Sequence, residues 1–310
     1  MSRARQSGVA AITAVLIVAV AASAAALMLA QQSATLDQAM MVASRAQADQ
    51  YAQAGLDWAR GAVSADPGVV TSLADGWAQP IAALPVDRAI VSGSLSDEQG
   101  KFNLNNLVVG NHASPDDVAI FQRLLVSLGL DPGLSDAVVD WIDTDSDLAG
   151  PGGAENPYYL ALPRPYRAAN QPFVQVEELY RVRGFDAKTV AKLKPYVTAL
   201  PAQSARTMIN ANTADPLLLH AVLPNVPSSA LVALASQRVV KPFQTAAAVQ
   251  LWAATLDPKA ATGALDVKSA YFGVHVQVAQ DDVQLATDAL VQRALPGQPA
   301  ATFVWRRPRY

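Results

Sequence analysis

The chain has 310 residues, 51% hydrophobic and 16% charged, a globular composition rather than a disordered one. Its net charge of −3 argues against a nucleic-acid or other polyanionic partner, which needs a basic field. The lack of Cys excludes disulfide and thiolate chemistry but fixes no compartment.

The first predicted element is a long apolar helix. Val9 to Ala30 is 22 residues without a charge. At about 1.5 Å per residue it reaches roughly 33 Å, enough to cross a bilayer core of about 30 Å. Arg3 and Arg5 precede it and the next basic residue is Arg45, which puts the short N-terminus in the cytoplasm and the body outside. The alternative is a cleaved secretory signal, with Ala22, Ser23 and Ala24 as its small-residue site. The run is long for such a signal, and the helical pattern continues past it. No Gly or Pro interrupts Gln31 to Ala54. Leu36, Met40, Ala43, Tyr51, Ala54 and Trp58 fall on one stripe about 100° wide, broken by Gln47. The stripe is expected to pack under a globular body.

A short basic leader, then Gly8, then a helix greasy in its first half and amphipathic in its second resembles the type IV pilin class. The resemblance implies that a prepilin peptidase cuts between Gly8 and Val9 and methylates the new N-terminus. Most members carry Glu where this chain has Thr13, and that Glu pairs with the amino terminus of a neighbouring subunit. A carboxylate in lipid costs about 3 kcal/mol or more unless paired. Its absence implies that no partner above is needed. In this the chain is similar to the K-type minor pseudopilins of type II secretion, large subunits at the filament tip.

The body follows in three parts. Asp66 to Pro85 reads as a loop, with Pro67, Gly68, Pro80 and Pro85. "AIVSGSLSDEQGKFNLNNL" reads as two strands around a turn at Asp97 to Gly100, and its "DEQGKFNLNNL" closely resembles a stretch of K-type pseudopilins. From Gly110 the pattern is helical. Ser114, Pro115, Asp116 and Asp117 start a helix whose apolar face is Val118, Phe121, Leu125 and Leu128, and Gly129 ends it. A second helix is predicted over Ser135 to Trp141, and two short ones flank a turn at Arg183 to Asp186. Thr213, Asp215 and Pro216 open another helix, and a further one follows Pro227. In "AYFGVHVQVA", Phe272, Val274, Val276 and Val278 alternate with polar neighbours, the period of a half-buried strand. Val283 to Leu295 is ambiguous between strand and helix, and "TFVWRR" is a last strand.

"DWIDTDSDLAGPGGAENPYY" is the most informative internal segment. Asp140, Asp143, Asp145, Asp147 and Glu155 lie within 16 residues, the last two joined by a Gly-rich loop. Asp143, Asp145 and Asp147 have the alternating spacing of an EF-hand start, but Leu148 replaces the turn glycine and Glu155 comes one residue late. Two readings stay open: a calcium loop of another geometry, and a solvated acidic turn. The family resemblance adds that K-type pseudopilins bind calcium in this inserted domain, through a loop much like "DWIDTDSD…GAEN".

The segments Val182 to Ala187 and Leu223 to Ser228 look like helix-hairpin-helix turns, and Lys188, Lys192 and Lys194 follow the first. They carry a rival reading, a membrane-anchored DNA-uptake protein. A calcium-dependent secreted enzyme is a second rival. Catalysis has little support: His112, His220 and His275 are far apart, and no phosphate-binding loop or nucleophile elbow is present.

The expected fold is α+β and pilin-like, a transmembrane helix packed on an antiparallel sheet that carries an inserted all-helical domain. The expected division is a leader over 1–8, the helix over 9–64 with 9–30 in the membrane, a first sheet portion over 65–109, the inserted domain over 110–205, and a helical hairpin with closing strands over 206–310. The resemblance implies a non-enzymatic minor pseudopilin at the tip of the pseudopilus, anchored once in the inner membrane with its body in the periplasm. There it helps to start pseudopilus assembly and the export of folded proteins across the outer membrane. Its implied partners are the I- and J-type minor pseudopilins, then the H type, and the prepilin peptidase; nucleic acid is not among them.

Overall fold

The structure, a computed structural model, describes residues 3–66, 68–202, 205–293 and 301–309, with side chains in the first helix from residue 9 onward. Met1 and Ser2 of the leader lie outside the described residues. One helix, α1, runs from Arg3 to Ala65. Its Ala-rich sequence has no Pro before position 67, so no backbone donor is missing along it. An 18-residue window within it has mean hydropathy 2.6, and its apolar side chains from Val9 to Leu29 are all exposed.

The upper part of α1 lies on a five-stranded antiparallel sheet. Its strands are β1 (Ile81–Val86), β2 (Ala89–Asp97), β3 (Tyr271–Gln280), β4 (Val283–Gln292) and β5 (Thr302–Arg309), in that spatial order. Ala48, Ala52, Leu56, Ala59 and Val63 of α1 are buried against Phe272, Val274, Val276 and Val278 of β3 and Ala289 and Val291 of β4. Small residues let the helix come close. A Cβ on Gly55 would stand 2.9 Å from Val276 Cγ1.

This contact corrects the stripe read from the sequence. Leu36, Met40, Ala43, Ala54 and Trp58 are exposed and only Tyr51 is half-buried. The helix turns its Ala and Gly face to the sheet because only that face fits the spacing of the branched side chains on β3.

Two other strand readings change. β2 is not one arm of a hairpin turning at Asp97. It pairs with β1 around Asp87 and Arg88 and with β3 on its other side, while Phe102–Asn103 makes a two-residue parallel pair with Val197–Thr198. The predicted loop also contains β1, and Pro85 is tolerated there because β1 is an edge strand. The ambiguous segment after residue 283 is β4, paired with β3 along its whole length. A register shift on β5 pairs Phe303 with Val291 and Trp305 with Leu290. The extra residue, Val304, places Phe303 on the α1 side and Trp305 on the other, beside Leu200 and Tyr271.

Residues 98–270 are inserted between β2 and β3. They carry α2 (Pro115–Ser127), α3 (Leu134–Ile142), α4 (Asn156–Leu160), α5 (Ala187–Leu193), α6 (Pro216–Val222), α7 (Ser228–Val240) and α8 (Ala246–Ala254). Helix α2 starts and ends as its sequence predicts, except that Ser114 Oγ donates to Asp117 instead of accepting a backbone bond. A single apolar core runs from Phe102 to Val267. Helices α6–α8, which the sequence division put with the closing strands, therefore pack with the inserted helices.

The insertion is tied to the sheet at Asp97, the last residue of β2. Its carboxylate is buried and accepts from Gln99 N (2.8 Å), Asn210 Nδ2 (2.8 Å), Ser269 Oγ (2.6 Å) and Thr213 Oγ1 (2.6 Å). Burial pushes its pKa up, and the four donors pull against that. Asp97→Ala leaves the buried Gln99 N and Ser269 Oγ without an acceptor, at about 1–3 kcal/mol each, while Asn210 Nδ2 keeps the Thr71 carbonyl. The expected loss in urea unfolding is about 3–5 kcal/mol; a loss within the range of an ordinary surface substitution would show that the node holds nothing.

Candidate metal centre in the acidic loop

Helix α3 sets the site. Asp136, Asp140 and Asp143 lie at i, i+4 and i+7, on one helical face. The opposite face, with Val138 and Trp141, enters the helical core, so the acidic face is held at the surface of that core. Trp141 packs edge-on to Tyr159 at 5.3 Å between ring centroids, which closes the back of the site. The chain then turns through residues 143–155 and comes back over the same face.

That return needs glycine. A Cβ on Gly153 would collide with Asp140 Oδ2, and one on Gly152 with the Gly133 carbonyl. Ala149 N donates to Asp140 Oδ1 at 2.8 Å, and Gly152 N donates to Asp136 Oδ2 at 3.1 Å. Glu155 caps α4, its Oε2 accepting from Asn156 N at 3.2 Å.

Of the five residues read from the sequence, three are buried: Asp140 at 0%, Asp143 at 7% and Glu155 at 3% exposure. Each leaves one oxygen without a hydrogen-bond partner, Asp140 Oδ2, Asp143 Oδ1 and Glu155 Oε1. Asp145 and Asp147 stand exposed at the rim, with Asp147 N donating to Asp145 Oδ1 at 2.9 Å. Among the described residues no Lys, Arg or His forms an ion pair with any of the five. Arg183 spends its guanidinium on the Gly153 carbonyl (2.6 Å). Nor, among the described residues, do three acidic or His side chains already stand grouped as ligands of one ion.

The electrostatics follow from that arrangement. Burial, then the charges of Asp145, Asp140 and Glu155, push Asp143 up to about 7. Burial is also the main cause of the raised pKa values of Asp140 and Glu155, with neighbouring carboxylates adding to it.

Two residues were missed from the sequence. Asp136 lies one helical turn before Asp140, and that spacing was the signal for it. Asn170 has no local signal. It adopts a left-handed φ of 47°, its Nδ2 donates to Asp145 O at 3.3 Å, and its buried Oδ1 has no partner.

The rival sites are less complete. Lys192 donates to the Leu128 carbonyl and Lys194 pairs with Glu177 at 2.7 Å, so two of the three lysines after the first hairpin are already engaged. His275 Nδ1 lies 2.6 Å from Asp288 Oδ1, and Ser94 faces His275 across the β2–β3 pair. Among the described residues no hydrogen bond joins that serine to the histidine.

Comparison with known proteins gives a consistent picture. Residues 100–202 match a family model described as type II secretion system (T2SS), protein K. The chain is 34% identical over 247 residues to the type II secretion system protein K of Aeromonas hydrophila, covering 74% of each. It is 32% identical over 307 residues to the protein of the same name from Pseudomonas aeruginosa, covering 94% of this chain and 90% of that one. Its fold is similar to a chain in the crystal structure of the GspK-GspI-GspJ complex from the enterotoxigenic Escherichia coli type 2 secretion system. The TM-score is 0.75 at 26% identity, over 86% of this chain and 97% of that one.

The raised carboxyl pKa values fix a pH dependence for the metal-free protein. Between the unfolded value near 4 and the folded value near 7, the folded state binds more protons than the unfolded one. Stability is then full below about pH 4 and is lost as the pH rises toward 7. Melting in chelator at pH 5 and at pH 7.5 should show this fall, and Asp143→Asn should flatten it. A melting temperature that rises over the same interval in the wild type alone would contradict the charge crowding.

Proposed function

The chain belongs to the type II secretion system protein K family and is a minor pseudopilin, and from that premise we propose that it caps the pseudopilus tip, with its body in the periplasm. The observation that carries this reading is where the insertion hangs. Tyr51 and Ser44 of α1 bond the β1–β2 and β3–β4 turns through Asp87 and Asp281, toward the membrane. Asp97 and the helical body are at the opposite end of the sheet. Bulk placed there obstructs addition of another subunit above this one. The I- and J-type subunits, which accompany the E. coli relative in its crystal, are its proposed partners, and the H type joins below them. The family is a structural part of the secretion machine, and this chain has that role.

Thr13 supports the same reading. Its Oγ1 lies 2.9 Å from the Ala10 carbonyl and 3.1 Å from that of Val9, so its hydroxyl is satisfied within the helix. It asks for no partner in lipid. Processing between Gly8 and Val9, followed by methylation, leaves such a helix as the start of the mature chain. Gly8→Leu adds a side chain where the peptidase needs close backbone approach. The variant should keep its leader, read by N-terminal sequencing; a mature start at Val9 would remove the processing site.

Calcium is the proposed ligand of the acidic loop. Buried carboxylate oxygens without donors, crowded and without a cation, are what a hard, oxygen-binding ion relieves. Asp140, Asp143 and Glu155 would hold it, with Asp145 and Asp147 at the rim and backbone carbonyls and water completing six to eight oxygens. The ion's chemistry here is structural: it neutralises the carboxylates and fixes the loop against α3. Binding to the folded state alone adds about 2.7 kcal/mol at a hundredfold excess over Kd. Calcium should therefore raise the melting temperature of the detergent-solubilised chain above its value in chelator, and magnesium should not. Asp143→Ala and Glu155→Ala should each remove most of the shift, and Asp116→Ala should not. Superimposed curves with calcium and chelator would leave only a solvated acidic turn.

A further inference from the structure

The charges of the inserted domain are sorted along the chain. Every charged residue from 131 to 155 is acidic. From 158 to 183 the sense reverses, and Arg164, Arg167, Arg181 and Arg183 stand against Glu177 and Glu178 alone. Both glutamates are spent elsewhere. Glu177 pairs with Lys194 and Arg307, and Glu178 Oε1 accepts from Val174 N and Gln175 N.

The fold brings the four arginines together around Tyr166. Its hydroxyl donates to the Arg181 carbonyl at 2.8 Å, and its ring lies 5.4 Å from that of Tyr159. Arg164 and Arg167 flank it in the chain. Arg183 N donates to the Tyr159 hydroxyl at 3.3 Å, and the Arg183 guanidinium lies 5.1 Å from the centroid of the Tyr158 ring. All four arginines are exposed, and Tyr158 is 39% exposed beside them. Among the described residues none of the four forms an ion pair, and only the Arg183 guanidinium has a hydrogen-bond partner, the Gly153 carbonyl.

The chemistry of this patch selects its partner. Four like charges held together repel one another until an anion neutralises them. All four are Arg, whose planar fork grips a carboxylate through two parallel N–H donors, and Arg beside an exposed Tyr is the composition of a protein interface. Nucleic acid would reach for the backbone N–H groups of the Val182–Ala187 hairpin, but those of Val182, Arg183 and Phe185 are already bonded. From Ala30 to its end at Ala65, α1 rises about 50 Å, which holds the helical body clear of a bilayer at the apolar run. We propose that Arg164, Arg167, Arg181 and Arg183, with the Tyr158 ring, form a docking surface for an acidic segment of another protein, one with clustered Asp and Glu side chains.

Fluorescence anisotropy on the full-length chain in a neutral detergent tests this. The probe is a short labelled peptide of Glu residues with one Tyr, and the same peptide with Gln for Glu is its control. The acidic peptide should bind, more weakly as salt is added, and the Gln peptide should not. Arg164→Glu with Arg181→Glu should weaken binding about tenfold, since each exposed attraction becomes a repulsion. Arg164→Lys with Arg181→Lys keeps the charge without the fork and should fall between that variant and the wild type. Neither guanidinium bonds anything among the described residues, so the melting temperature should not move. Lys241→Glu with Lys259→Glu reverses two exposed cations elsewhere on the inserted domain and should leave binding unchanged. No binding of the acidic peptide, equal binding of the Gln peptide, no effect of the arginine reversal, or an equal effect of the lysine reversal overturns the docking surface. Tighter binding of phosphatidylglycerol vesicles or of a single-stranded oligonucleotide than of the acidic peptide overturns it in favour of a phosphate surface.

Discussion

A buried carboxylate with no cation beside it holds the molecule together. Asp97 ends β2, and its four donors come from the 3₁₀ turn after it, from the start of the α6 segment and from the residue leading into β3. Asn210 also donates to the Thr71 carbonyl, which brings the chain just past α1 into the same network. The helical body leaves the sheet at Asp97 and returns to it at Ser269, so one side chain closes the whole excursion. Hydrogen bonds to a charged acceptor in a low-dielectric site are strong and directional. That directionality sets how the helical body sits on the sheet, which a greasy contact of the same size would leave loose.

The second anchor is α1, whose first half is long and apolar enough to cross a membrane and whose second half packs on the sheet. In the apolar half the polar side chains of Thr13 and Ser23 donate to carbonyls one turn back. In the second half the contact is made largely by alanine, whose small side chain lets the helix sit down on the valines of β3. Close approach on that face leaves the bulkier residues, Tyr51 and Trp58, at its margin.

The acidic loop shows the opposite use of burial. The same helical core that orients α3 draws Asp140, Asp143 and Glu155 out of water while the Gly-rich return keeps them close together. Among the described residues no basic side chain forms an ion pair with them, and Arg183 bonds the Gly153 carbonyl instead. The result is stored electrostatic tension in an otherwise well-paired domain. The contrast with Asp97 is instructive: there every oxygen is spoken for, whereas here each buried carboxylate keeps one oxygen bare.

Much of this was legible locally. The charge-free run from Val9, the alternation of Phe272, Val274, Val276 and Val278 and the Ser114-Pro115 start of α2 are all short-range patterns, and each corresponds to an element of the structure. The sequence also located a stripe from Leu36 to Trp58, though not its role. What failed depended on partners distant in the chain. Residues 283–292 are a strand because β3 and β5 flank them; β2 pairs with β3, nearly two hundred residues away; Asn170 reaches Asp145 with no local cue. Periodicity reports which residues share a face, and that much the sequence by itself determined. Which of two apolar faces of α1 is buried, and which acids of the loop lose their water, only the tertiary structure decided, because steric fit and desolvation depend on what packs opposite.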